Sequence, residues 1–283
     1  MRSGIMTLDE ALQRYATPDS HVGTVGGVRL HWIDEGLRDA LTIVLLPGQW
    51  LGARQAERWA AALRDRYRVI RLDLPGQGLA GPFHDGDYSM PRHAALLADW
   101  LAVMVTGRYL LVGTSLSGMI AVLHAATRPA GLVGLILANA SGLPRPGGGS
   151  VLPPPGGVPR DEAFFAAKLA TLLKSPDALT EAMIAETATL DQLPGRCNEA
   201  NARGRAFSSD ATIAALARIQ APVLLQWSTE STYLPATMAD RFAAALTGTT
   251  AKIRLHPGVG HLIIIDAPLA TAAEVRQFAE EIA

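Results

Sequence analysis

Residues 111–118 read LVGTSLSG, and this stretch decides how the rest of the chain is interpreted. Its apolar first half is typical of a strand that is buried on both faces. Two serines then stand between Gly113 and Gly118, where a helix would begin. A sharp turn from strand to helix exposes a hydroxyl group, and small neighbours let the backbone bend without a clash. We therefore predict that Ser115 stands at the end of a buried strand as a nucleophile.

Strand-like and helix-like runs alternate on both sides of this stretch. The paired glycines Gly26 and Gly27 predict a hairpin, because tight hairpin turns need positive φ angles. Apolar runs at 41–48, 67–76 and 221–228 have the pattern of buried strands, and helix-like segments separate them. This alternation predicts an α/β fold with a mostly parallel sheet and helices on both faces.

The alternation is interrupted after residue 142. Residues 143–159 read LPRPGGGSVLPPPGGVP, which is too rich in proline and glycine for a regular element. The residues from Asp161 to Arg218 then show several helical stretches and no convincing strand. We expect residues 1–142 and 220–283 to form the core domain. Residues 143–219 would be an inserted helical cap, entered through a mobile segment at 143–159.

The expected ligand site lies at the carboxyl ends of the parallel strands. Ser115 follows one predicted strand there, and His261 follows the last strand in the run PGVGH. A serine hydroxyl is a weak nucleophile at neutral pH. It needs an imidazole to take its proton and a carboxylate to orient that imidazole. These two residues are therefore the candidates for nucleophile and general base.

Four short landmarks in this order resemble the α/β-hydrolase fold family: LLPG, DLPGQG, GTSLSG and GVGH. The resemblance covers essentially the whole chain, and the helical insertion stands where that family has its cap. It implies that Ser115 is the nucleophile and His261 the general base. It also implies an oxyanion hole built from the backbone N–H groups of Gln49 and Leu116.

The chain departs from the family pattern at several positions. Ser117 replaces the second glycine of the usual G-x-S-x-G elbow, and Pro47 stands where a histidine is common. The usual aspartate four residues before a proline falls on Ser231, counted back from Pro235. We expect Glu230, one residue earlier, to support His261 from a shifted loop.

Three further polar residues stand at strand or helix ends near the expected site. Asn139, at the end of the sixth strand, is the alternative to Glu230 as partner of His261, and a Glu230 without any role also remains open. An asparagine orients a histidine but does not stabilise an imidazolium by charge. We interpret Asp266 as a helix cap and Asp73 as loop scaffolding.

Three functions remain open at this point. The first is a serine hydrolase acting on a small, largely apolar ester, lactone or activated C–C bond. The second is a cofactor-free ring-cleaving dioxygenase that uses the histidine as a base. The runs LLPG and TESTY and the C-terminal helix resemble quinolone-cleaving enzymes of the same fold. The third is a catalytically degenerate binding protein, since the expected acid is missing and a fold does not determine a function.

Composition limits the class of partner. The formal charge is −1, with 25 basic and 26 acidic residues mixed along the chain, so we expect neither nucleic acid nor membrane as a partner. A small-molecule substrate fits better, and a homodimer is one option for the assembly. Cys197 is the single cysteine, which excludes an internal disulfide. We expect no cofactor, no metal and a cytoplasmic location.

Overall fold

The computed structural model describes residues 5–146 and 160–282. Most of the predicted mobile segment, 147–159, lies outside these described residues. The strands of the described residues are β1 (Ser20–Val25), β2 (Val28–Gly36), β3 (Thr42–Leu46), β4 (Arg68–Leu72), β5 (Tyr109–Thr114), β6 (Leu132–Ala138), β7 (Val223–Ser228) and β8 (Ala251–His256).

All of these strands join one sheet in the order β1-β2-β4-β3-β5-β6-β7-β8. β2 pairs antiparallel with β1 and with β4, and every other neighbouring pair is parallel. The predicted, mostly parallel sheet is confirmed. The hairpin between β1 and β2 turns at Gly26 and Gly27, which have φ angles of 56° and 76°. β5 lies between β3 and β6, so the end of β5 stands near the middle of the carboxyl edge.

Helices cover both faces of the sheet. The helices of the described residues are α1 (Leu8–Tyr15), α2 (Glu57–Ala61), α3 (Met90–Met104), α4 (Ser117–Ala125), α5 (Glu162–Ala170), α6 (Glu181–Asp191), α7 (Arg196–Arg205), α8 (Asp210–Leu216), α9 (Thr237–Ala245), α10 (Ile263–Asp266) and α11 (Pro268–Glu281). The apolar faces of α3, α4 and α9 pack in one core cluster. Those of α2, α10 and α11 pack in a second cluster on the other face.

Helices α5 to α8 follow β6 and precede β7, and we call them the inserted helices. They lie against loops at the carboxyl edge of the sheet. Phe165 of α5 is fully buried in an apolar cluster that includes Leu51, after β3, and Leu262, after β8. Arg196 of α7 donates to the backbone oxygens of Gly78 and Ala80, in the loop after β4, at 3.1 and 2.6 Å. These contacts place the inserted helices over the expected site.

No helix among the residues that the structure describes is both long and apolar enough to cross a membrane.

Candidate active site

Ser115 stands in the turn between β5 and α4. Its φ angle is 49°, in the left-handed region that L residues seldom occupy. A side chain at Gly113 or at Gly118 would not fit: an added Cβ would lie 2.7 Å from Cβ of Ala121 or 2.4 Å from Cβ of Ala140. The strained, tightly packed turn confirms the predicted strand-to-helix elbow.

Ser117, the departure from the family elbow, has a structural role that the sequence did not reveal. Its side chain is fully buried. Its Oγ donates to the backbone oxygen of Leu46 at 2.7 Å and accepts from the backbone N of Thr114 at 2.8 Å. This hydroxyl therefore links the ends of β3 and β5 beneath the nucleophile.

The nucleophile and base candidates meet. Oγ of Ser115 lies 2.8 Å from Nε2 of His261, which confirms the predicted contact. The imidazole is almost completely buried. Burial, and after it the positive charges of Lys168 and Arg145, lower its pKa to about 4. His261 is therefore neutral at physiological pH and free to accept a proton.

The expectation that Glu230 supports His261 is wrong in this structure. Oγ of Ser231 lies 3.0 Å from Nδ1 of His261. The carboxylate of Glu230 is exposed and accepts instead from the backbone N of Gly258 at 2.9 Å. The backbone N of Glu230 donates to Oγ of Ser228 at 3.0 Å, so the chain turns directly after β7 and sends the two adjacent side chains to different sides. Counting back from Pro235 gave the correct position, which holds a serine.

Asn139 does not contact the imidazole either. Its Nδ2 donates to the backbone oxygen of His261 at 2.6 Å, and its Oδ1 accepts from the backbone N of Ser228 at 2.9 Å. The residue is fully buried and has a φ angle of 42°. Asn139 thus connects the ends of β6 and β7 with the loop that carries His261, and it positions the backbone of the base.

Two aspartates hold the loops around the site. Asp73 accepts from the backbone N of Ala53 at 2.6 Å and of Leu79 at 2.8 Å, as expected for loop scaffolding. Asp266 is not a helix cap, which corrects our interpretation. It accepts from the backbone N of Gly260 at 2.6 Å and of Ser175 at 2.7 Å, so it connects the histidine loop with the inserted helices.

The two predicted oxyanion donors lie at the same pocket as Ser115. The backbone oxygen of Gly48 accepts from Nε2 of Gln77 at 3.3 Å. Because the C=O and N–H groups of a trans peptide point in opposite directions, the N–H of Gln49 is directed away from Gln77. Within the described part of the chain, neither this N–H nor that of Leu116 has a hydrogen-bond acceptor. Their role as an oxyanion hole stays a prediction.

Two cavities adjoin the Ser115–His261 pair. One is lined by Gln49, Trp50, Leu116, Phe207 and Tyr233, among others. The other is strongly apolar and extends towards Leu45, Ala138, Ile263 and Ile265. Phe164 and Phe165 line neither cavity and belong to the packing of the inserted helices. In residues 5–146 and 160–282, His, Cys, Asp and Glu side chains form no group suited to a metal ion.

Comparisons with known proteins agree with this architecture. The model of the alpha/beta hydrolase family matches residues 43–274. Over 258 residues the chain is 28% identical to the candidate carbamate hydrolase RutD of Variovorax paradoxus (strain S110), with 83% of this chain and 90% of that protein covered. Over 95 residues it is 38% identical to the 2-succinyl-6-hydroxy-2,4-cyclohexadiene-1-carboxylate synthase of Enterobacter sp. (strain 638). That match spans 34% of this chain and 36% of the relative, about a third of its length.

A solved structure shares the fold over nearly the whole chain. Cfl2 from Burkholderia cenocepacia has a TM-score of 0.79 against this structure at 24% sequence identity, covering 92% of this chain and 95% of that one.

Proposed function

The chain belongs to the alpha/beta hydrolase family, and on that premise we propose that it is a serine hydrolase in which Ser115 attacks the substrate and His261 is the general base. The observation that carries the proposal is the 2.8 Å contact between Oγ of Ser115 and Nε2 of His261, made at a strained elbow. A hydroxyl held against a neutral, buried imidazole is the arrangement that nucleophilic catalysis by serine requires.

The proposed reaction has two stages. Nε2 of His261 takes the hydroxyl proton while Oγ of Ser115 attacks the carbonyl carbon, and the N–H groups of Gln49 and Leu116 stabilise the oxyanion. His261 then returns the proton to the leaving group, which departs and leaves an acyl group on Ser115. A water molecule, deprotonated by the same imidazole, hydrolyses that ester and regenerates the serine.

Ser231 forms a triad with Ser115 and His261, and its side chain is neutral where a carboxylate is usual. For Nε2 to accept a proton, Nδ1 must carry one, and Oγ of Ser231 is placed to accept it at 3.0 Å. A hydroxyl also has a proton of its own to donate, so it does not enforce this tautomer as a carboxylate does. Nor does it stabilise the imidazolium by charge. We therefore expect slow turnover that depends strongly on an activated leaving group.

The substrate is a small molecule whose scissile bond is an ester, a lactone or an activated C–C bond. The apolar lining of the cavity beside Ser115 suits a hydrocarbon portion of such a molecule. The similarity to a candidate carbamate hydrolase adds carbamates to the compounds worth testing.

The test uses p-nitrophenyl butyrate with the wild type, Ser115→Ala and the control Ser208→Ala, an exposed serine in the loop between α7 and α8. We expect turnover with a burst of nitrophenol in the wild type and in the control, and a loss of about 10³-fold or more in Ser115→Ala. Mass spectrometry of the quenched wild type should find the butyryl group on Ser115.

Other outcomes would contradict the proposal. Equal turnover in Ser115→Ala would show that the serine is not attacked. Oxygen uptake with a hydroxyquinolone that survives in Ser115→Ala would favour the ring-cleaving dioxygenase. No turnover of activated esters or lactones and no acyl-enzyme would favour a degenerate binding protein.

A further inference from the structure

A lysine of the inserted helices lies beside the cavity that contains Ser115 and His261. Lys168 lies on α5, and its Nζ donates to the hydroxyl oxygen of Tyr233. The same ammonium lies 5.1 Å from the ring centroid of Trp50. Tyr233 and Trp50 both line the cavity that contains Ser115 and His261. The ring of Tyr233 is 5.5 Å from that of His261, so one aromatic side chain separates the ammonium from the base.

Among the residues that the structure describes, no carboxylate forms an ion pair with this ammonium group. Within the described ranges, neither Lys168 nor Arg145 has an acidic side chain within ion-pair distance. The nearby Glu230 and Asp266 are directed at backbone N–H groups of the loops. The position where the family carries its acid holds the neutral Ser231.

The positive charges of Lys168 and Arg145 affect the pKa of His261. After burial, the charges of Lys168 and Arg145 are the causes that lower the pKa of His261, so both cations disfavour the charged form of this imidazole. Two of the three N–H donors of Lys168 have no acceptor among the described residues. Lysine ammonium groups are strongly hydrated, and a half-buried one beside two aromatic rings is stabilised by an anionic partner.

We propose that the substrate carries a carboxylate, which Lys168 binds while the scissile carbonyl lies at Ser115. This inference deepens the proposed function and rests on it. The carboxylate takes the place of the ion-pair partner that Lys168 does not have among the described residues, and Tyr233 holds the ammonium at the cavity. Because the bound anion neutralises Lys168, it also removes one of the charges that disfavour the imidazolium of His261.

The test compares two esters of equal acyl length: mono-p-nitrophenyl adipate, which ends in a carboxylate, and p-nitrophenyl hexanoate, which ends in a methyl group. The wild type should show a kcat/KM higher by about tenfold or more for the adipate ester, the scale of a charge-assisted contact. Lys168→Met should remove most of this preference, so that the ratio of kcat/KM between the two esters falls close to one. Lys168→Arg should retain much of the preference. The control Lys174→Met, an exposed lysine just beyond α5, should behave as the wild type.

Binding separates this inference from the proposed function. Calorimetry with Ser115→Ala measures the affinity for both esters without turnover, and adding Lys168→Met should weaken the adipate ester selectively. No selectivity for the adipate ester in the wild type, or the same selectivity in Lys168→Met, would overturn the inference while the hydrolase remains. Selective binding of the adipate ester without any turnover dependent on Ser115 would support the inference and reject the hydrolase. Melting temperatures close to that of the wild type confirm that the variants fold.

Discussion

Replacing Ser231 by aspartate should convert the neutral third member of the triad into a charged one. Oγ of Ser231 is 3.0 Å from Nδ1 of His261 and also accepts from the backbone N of Leu234 at 3.1 Å. A carboxylate has enough lone pairs to accept both bonds, and it has no proton to donate. In Ser231→Asp, Nδ1 must therefore carry the proton, and Nε2 is left free to take the proton of Ser115.

The size of the expected pKa change at His261 follows from its distance to the new carboxylate and from the burial of that carboxylate. Two unit charges about 4 Å apart interact by about 4 kcal/mol at an effective dielectric constant of about 20, which corresponds to about 3 pKa units. Burial of the new carboxylate reduces this gain, because Ser231 is almost completely buried. We expect the pKa of His261 to rise by about 1 to 2 units from its value of about 4.

The pH dependence of kcat/KM shows in which direction the pKa of His261 changes. General-base catalysis needs neutral His261, so activity falls as the pH drops through the pKa of this group in the free enzyme. For the wild type the acid limb of kcat/KM lies near pH 4, where the imidazole becomes protonated. In Ser231→Asp this limb should move to higher pH. At pH 8 kcat should increase by about 10- to 100-fold, because the imidazolium is now stabilised in the transition state.

The assay is the pH profile of p-nitrophenyl butyrate hydrolysis by the wild type, Ser231→Asp and Ser231→Asn. Asparagine has nearly the shape of aspartate without its charge, so it separates the charge from the change of volume. A folded Ser231→Asp with an unmoved acid limb and no faster turnover than Ser231→Asn would refute the reasoning. The orienting group of His261 would then have to lie elsewhere.

Three further substitutions test the placement of the site residues. Glu230→Gln should keep kcat within about twofold, because its exposed side chain accepts a hydrogen bond from the N–H of Gly258 and not from His261; a large loss in steady-state assays would return Glu230 to the triad. Asn139→Ala should lower kcat, and it should lower the free energy of unfolding by about 2 to 3 kcal/mol, since two buried hydrogen bonds that position the loop of His261 are lost. Unchanged kcat and an unchanged urea midpoint would contradict this positioning role. Ser117→Ala should cost about 1 to 3 kcal/mol of unfolding free energy, because the N–H of Thr114 loses a buried acceptor and the backbone oxygen of Leu46 retains the hydroxyl of Thr114 but loses that of Ser117; an unchanged urea midpoint would show that water replaces the hydroxyl.

Much of the fold could be predicted because it depends on local patterns. Apolar runs next to glycines gave the strands and the elbow at Ser115, since buried strands and tight turns restrict residue types strongly. The hairpin at Gly26 and Gly27 followed from the positive φ angles that such turns need. Chain order and the ends of parallel strands brought Ser115 and His261 together, and the structure places them in contact.

The sequence by itself therefore determined the parallel sheet, the elbow and the pairing of nucleophile and base. Only the tertiary structure decided which side chain meets Nδ1 of His261. Glu230 and Ser231 are neighbours in sequence, and the direction of the turn after β7 separates them by sending one to solvent and the other to the imidazole. It also decided that Lys168 approaches Ser115 and His261, which both lie more than fifty residues away from it in sequence. Such placements depend on how distant elements pack, and no local pattern of residues records the direction of a side chain in a loop.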